Sequence, residues 1–220
     1  MQSISVFSPQ LNFDIANLRN VTSTHTEKVN DQDEELITEL YVNEDLNVNE
    51  NTVYKKCVIS MDEVMHLRAR VFGRNVNEVI VRNSYIVYFD ENTGVLSCLA
   101  NKNSADRIQK FCSQGLNIPY DKKIFDLNTI MDSSNNVKRA QFKKLTIQTL
   151  SGSAISGNQV NSTDMYDVMN QAGDLSTVAV AYPFNDRDIN FSVSTTGSIV
   201  LFSTLNDNEI TDFLFNLNNI

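Results

Sequence analysis

A chain of 220 residues with 41% hydrophobic side chains is long enough to bury one large core or two small ones. No apolar run approaches the roughly 20 residues that span a bilayer, and Met1–Ser5 puts no basic segment ahead of an apolar one, which argues against a membrane span and a secretory leader. The net charge of −9 is uneven: residues 1–53 sum to −8, residues 54–144 to +6 and residues 145–220 to −7, so the middle is basic between two acidic flanks and holds the local excess of Lys and Arg that a phosphate-contacting surface requires.

In chain order, residues 1–33 are rich in Asn, Ser, Thr and Asp and read as an extension holding one strand at Ile4–Phe7. An acidic cluster (Asp31, Asp33, Glu34, Glu35) precedes a strand at Leu36–Val42. It reads as a solvated lead-in, with masking of a basic face by DNA mimicry as the sharper alternative. A polar loop over Asn43–Asn51 leads to a strand at Tyr54–Ile59. Ser60-Met61-Asp62-Glu63 has the form of a capping box, which predicts a helix from Met61 to Phe72 ended by Gly73. Strands are predicted at Val79–Arg82, Tyr85–Phe89 and Val95–Ala100, the last two joined by a turn at Asp90–Gly94. Ser104 is the expected cap of a helix running to Ser113.

Asp132–Val137 reads as a connector and Lys144–Leu150 as a strand, followed by a Gly/Ser loop. Thr163 caps a predicted helix over Asp164–Ala172 that Gly173 terminates. Strands at Val178–Tyr182, Ile189–Val193 and Ser198–Ser203 follow, and Asn206 or Asp207 caps a closing helix to Leu217.

The chain repeats itself. Asp62-Glu63-Val64-Met65, a Thr93-Gly94 turn and a segment ending at Phe111 are echoed by Asp167-Val168-Met169, a Thr196-Gly197 turn and a segment ending at Phe213. The offsets are 104 for Val64 to Val168, 103 for Gly94 to Gly197 and 102 for Phe111 to Phe213. Two such units predict an α+β fold: pseudo-symmetric repeats sharing one continuous curved antiparallel sheet, helices on the convex face and a bare concave face free to bind. The expected boundaries are 1–33 for the extension, 34–118 for repeat 1 and 119–220 for repeat 2.

Cys57, Cys98 and Cys112 are odd in number and lie in apolar patterns, which predicts buried free thiols in a reducing compartment. His25 and His66 are too few and isolated for a metal site. The carboxylate pairs Asp62/Glu63 and Asp186/Asp188 suit capping and turns. No phosphate-binding glycine loop, zinc spacing or nucleophile elbow is present, so neither an enzyme nor a cofactor is expected.

Residues 34–220 resemble the TATA-box-binding protein family in the order of several local strings. Leu67-Arg68-Ala69-Arg70 resembles the family's LRAR on its first helix, and Val79-Ile80-Val81-Arg82 its VIMR strand. Phe89, the turn to Gly94 and Cys98–Lys102 resemble the stretch that follows, with a longer turn. Gln141–Gln148 looks like the strand opening the second repeat. The resemblance implies a saddle seated on the minor groove of promoter DNA, with phenylalanines wedged between base steps. It implies partners of the B-type and A-type general factors, with RNA polymerase recruited through them. It also implies an intracellular location in the nucleus, or in a virion or viral factory if the chain is viral.

Carried over by position, Phe89 is a wedge, with Val76 at its partner position, and Val87, Ser97 and Leu99 line the groove. Arg82 and Lys102 contact phosphate, Thr149 lies near the pseudo-dyad, and Val200 and Phe202 line the groove in the second repeat. Ser176 and Ser194 stand where that repeat's wedges belong, and Arg187 reads as its only basic residue. The first half therefore reads as the DNA-competent one. An adaptor that has lost DNA binding is the alternative.

Overall fold

The computed structural model describes residues 1–11, 18–71, 73–147 and 149–220. Part of the expected extension (12–17), the expected helix end at Phe72 and Gln148 of the second-repeat string lie outside the described residues.

The described residues form an α+β protein built on one open, curved, antiparallel sheet. In chain order the strands are β1 (Gln2–Pro9), β2 (Val21–Val29), β3 (Gln32–Asn49), β4 (Thr52–Val71), β5 (Arg74–Asp90) and β6 (Leu96–Leu99). There follow helix α1 (Lys102–Gly115), β7 (Tyr120–Lys122), helix α2 (Leu127–Asp132), β8 (Asn136–Lys143) and β9 (Gly152–Ser156). Helix α3 (Asp164–Ala172), β10 (Asp174–Phe184), β11 (Arg187–Ser194), β12 (Ser198–Leu201) and helix α4 (Asp207–Asn218) complete the chain. Across the sheet the order is β2-β3-β4-β5-β6-β1-β12-β11-β10-β8-β9, with β7 paired to β1. Among these helices none is long and apolar enough to cross a membrane.

Residues 2–9 are thus the middle of the sheet and not part of an extension. Ile4 is paired with Leu99 of β6 on one side and Ile199 of β12 on the other. The predicted helix at Met61–Phe72 is also corrected, because β4 runs as a strand to Val71. Long-range pairing outweighs the local capping signal there. Ser60 Oγ meets Ser84 Oγ at 2.9 Å, Arg82 Nη1 donates to Asp62 at 3.1 Å and Arg107 Nη1 donates to Glu63 at 2.8 Å. The first landmark of the repeat is therefore unequal, Val64 lying in a strand and Val168 in α3. The other landmarks fall alike: Gly94 and Gly197 turn at positive φ, and Phe111 and Phe213 are buried on α1 and α4. Lys144–Leu150 is not a strand, its place being taken by β8, which begins inside the expected connector.

Successive strand residues face opposite sides of a sheet, so the core assignments show which helix covers which side. Phe7, Val87, Phe89, Leu96 and Cys98 pack with Ala105, Ile108, Phe111 and Cys112 of α1. Ile4, Val6 and Tyr88, the neighbours of those residues along the same strands, pack with Ile210, Phe213 and Leu214 of α4. Helices α2 and α3 contribute Leu127, Ile130, Met131 and Tyr166 to this second cluster. The expected placement of every helix on one face is therefore overturned, since α1 and α4 lie on opposite sides.

The first half of the sheet curls around α1. Its outer strand reaches the helix end at Gly115, where a Cβ would sit 2.8 Å from Val21 Cγ1. Helix α4 is tied to the first half by Tyr88, whose hydroxyl donates to Asp207 at 2.6 Å, and by Lys56, whose Nζ donates to the same carboxylate at 2.6 Å. All three cysteines are free and buried, and burial pushes the Cys57 thiol up to about 12.

Candidate nucleic-acid interface

Covering opposite sides leaves one large surface bare. On α1's side, α1 packs against the first half, and among the described residues no helix covers the second half. The pairing registers set out this surface row by row. One row runs Ser3–Val200–Ser192–Ala179–Arg139–Ser156 across β1, β12, β11, β10, β8 and β9. On the neighbouring row Thr177 stands between Ser194 and Gln141, with Ala154 beyond. Six strands at about 4.8 Å spacing make the surface roughly 25 Å wide. Its side chains are small, so another molecule can approach the backbone closely.

Phe202 stands at one end of this surface and is 49% exposed. The strand register makes it so: Ile199 and Leu201 point into α4's core, which turns Val200 and Phe202 the other way. The Phe202 amide donates to Asn190 O at 2.9 Å, which pins the backbone while the ring stays in solvent. Phe202 lines a shallow groove with Arg139, Gln141, Thr177, Ala179 and Ser192. Lys138 Nζ donates to Asn190 Oδ1 at 2.6 Å beside it, and the exposed Lys143 follows two residues after Gln141 on β8. Lys102, exposed at the start of α1, and Phe202 lie just past the ends of β6 and β12, the strands flanking the N-terminal end of β1.

The residues expected to form the site do not come together. Phe89 and Val87 are both 0% exposed in the core beneath α1, so the wedge and groove-lining roles given to them are corrected. Ser97 and Leu99 are not on their side of the sheet: Val87 is level with Cys98, and Ser97 and Leu99 face α4's core. Ser97 is fully buried, and its Oγ has no hydrogen-bond partner among the described residues. Arg82 is held by Asp62 and Glu39, which leaves no free charge for a phosphate. Val76 lies far out on β5, level with Ala69. Thr149 is outside the sheet in a turn, at φ +71°. Val200 and Phe202 lie on the bare surface, and Lys102 is at its margin.

Arg187 is not the only basic residue of 119–220, which also holds Lys122 and Lys123 and, on or beside β8, Lys138, Arg139, Lys143 and Lys144. The alternation of Val137, Ala140 and Phe142 with Arg139, Gln141 and Lys143 was the signal that finds them. Among the described residues no group of His, Cys, Asp and Glu is placed to hold a metal ion. No family model matches the chain, and no curated protein matches it.

Proposed function

We propose that this protein binds DNA on the bare surface of its second half, with Phe202 as an apolar wedge or stacking platform at one end. One observation carries the reading: an exposed aromatic ring among small side chains, beside Arg139, Lys138 and Lys143. Small residues let base edges approach the sheet, basic residues at the margin hold phosphates, and an aromatic ring inserted at a base step kinks the duplex. Flexible TA steps are then favoured because they unstack most easily.

The chain arises, on this reading, from a duplicated strand-rich unit whose halves are related by an axis along β1. The inner strand order, β6-β5-β4 on one side of β1 and β12-β11-β10 on the other, and the matched Gly94/Gly197 turns support that relation. Such an axis turns the halves over relative to each other. It leaves one bare half-surface where a saddle has two. A role in transcription initiation, with B-type and A-type factors and RNA polymerase as partners, belongs to this proposal through the family resemblance alone.

The test is fluorescence anisotropy on an AT-rich duplex with TA steps, at several salt concentrations. Phe202→Ala should weaken binding about tenfold or more, since stacking on an aromatic is worth roughly 1–3 kcal/mol. Arg139→Ala should reduce the salt slope by about one. Phe89→Ala should cost about 3–5 kcal/mol of stability and leave the affinity of the folded protein unchanged. Salt-insensitive binding, or affinity indifferent to both Phe202 and Arg139, would sink the proposal. The second reading, a protein-binding adaptor, rests on the neutralisation of Arg82 and Arg107 by Glu39, Asp62 and Glu63. It is favoured if partner capture survives both substitutions.

A further inference from the structure

Beyond the main sheet, β4 and β5 continue alone. β3 is paired with β4 only from Thr38↔Met61 onward, whereas β4 and β5 stay paired out to Val71↔Arg74, where Gly73 turns at φ +79°. The result is a two-stranded ribbon of about ten residues a side, roughly 30 Å long at the ordinary rise of a strand. It is touched midway by Asn30 of the β2–β3 turn, whose N donates to Glu78 at 2.7 Å and whose Nδ2 donates to Glu78 O at 2.8 Å, while the Asn77 amide donates to Asn30 Oδ1 at 3.3 Å.

The outer ribbon differs in charge from the rest of the molecule. At its base Arg82 and Arg107 are taken up by carboxylates. Further out, Arg68 and Arg70 are exposed and share one surface with Asn75 and Asn77. Among the described residues neither guanidinium has a carboxylate partner. Glu78, the acid closest along the ribbon, is occupied by His66 Nδ1 at 3.1 Å and by Asn30. The sequence adds Arg74 at the turn. On a helix Arg68 and Arg70 would diverge, but on this strand they flank one surface. A bulge between His66 and Ala69 re-aims that part of β4. Asn75 and Asn77 have the strand parity of Val87 and Phe89, so the surface opens on α1's side, where the second half is bare.

We infer that this ribbon is a DNA-engaging arm: Arg68 and Arg70 contact phosphates of a duplex while the two strands lie in its major groove. The major groove of B-DNA is about 12 Å wide and admits a two-stranded ribbon, whereas the deep, narrow major groove of duplex RNA does not. Two guanidiniums with no carboxylate partner among the described residues, Arg70 giving only its Nε to Gly73 O at 3.3 Å, have the charge and the free donors that phosphate oxygens require. The arm is a site separate from the Phe202 surface and does not depend on it.

The experiment compares wild type, the double variant R68A/R70A and Phe202→Ala on duplex DNA and duplex RNA by anisotropy against salt, with thermal melting as the folding control. For duplex DNA the double variant should lower the salt slope by about two and weaken binding roughly tenfold across sequences, with no change in melting. The R68K/R70K variant should recover most of the affinity, because a phosphate contact needs the charge. Wild type should prefer duplex DNA to duplex RNA, and R68A/R70A should reduce that preference; a preference unchanged by R68A/R70A overturns the arm. Duplex DNA binding unaffected by R68A/R70A while Phe202→Ala weakens it overturns the arm and leaves the surface standing. Loss with R68A/R70A but not with Phe202→Ala supports the arm and overturns the surface.

Discussion

Asp207 shows what one side chain does for the fold. It sits in the first turn of α4, accepts from Tyr88 and Lys56, and so fastens the helix to β4 and β5. Burial raises its pKa, but the hydrogen bonds from Lys56 and Tyr88 and the Lys56 charge outweigh burial, and the net direction is downward. A carboxyl depressed in the folded state stabilises above its unfolded pKa of about 3.9 and loses that contribution as pH falls through the folded value. Melting temperatures followed from about pH 6 down to about pH 2.5, a range that brackets the unfolded carboxylate pKa of about 3.9, should drop less steeply in Asp207→Asn than in wild type. Equal slopes would show that the carboxylate is not coupled to folding. At this scale the sequence was half legible. Strand parity places Val200 and Phe202 together, and it equally places Val87 and Phe89 together. Which pair is covered depends on the side of the sheet on which α1 and α4 pack, and no local pattern records that.

Segment 60–71 is the clearest case at the scale of elements. Ser60 and Glu63 have cap spacing, yet Ile59 and Met61 are buried in a sheet and Glu63 is spent on Arg107. Ser60→Ala therefore tests strand against helix. A lost N-cap costs about 1 kcal/mol, while a half-exposed strand serine should stay within about 0.5 kcal/mol in urea unfolding. A loss near the larger figure would restore the helix. Elements whose signals are local were read well. Thr163 caps α3 through the Tyr166 amide, and Asn206 and Glu209 form a full capping box on α4. Those decided by partners distant in sequence were misread. β8 hid in a polar connector because Lys138, an extra residue between Val137 and Arg139, breaks the alternation at its start, and the outer part of β3 hid in an Asn-rich stretch.

The whole molecule is organised by β1, which alone joins the two halves of the sheet. A disposable extension and a central strand behave differently on removal. Deleting residues 1–10 should abolish cooperative thermal unfolding, because β6 and β12 each lose a partner and Ile4, Val6 and Phe7 leave two cores at once. A truncated chain that melts like the full one would contradict the central position. The matched turns at Gly94 and Gly197 and the buried Phe111 and Phe213 were legible as a spacing. The placing of α1 and α4 on opposite sides of the sheet was not, since a shared strand leaves no trace in the spacing of landmarks.

The location of β1 also bears on how the chain folds. Ile4 is paired with Leu99 and with Ile199, partners 95 and 195 positions further along the chain. Separations of that length make closure slow. Until both partners arrive, Ile4, Val6 and Phe7 lack the two cores that bury them. Insertion of this central strand is therefore the expected slow step on the way to the native sheet.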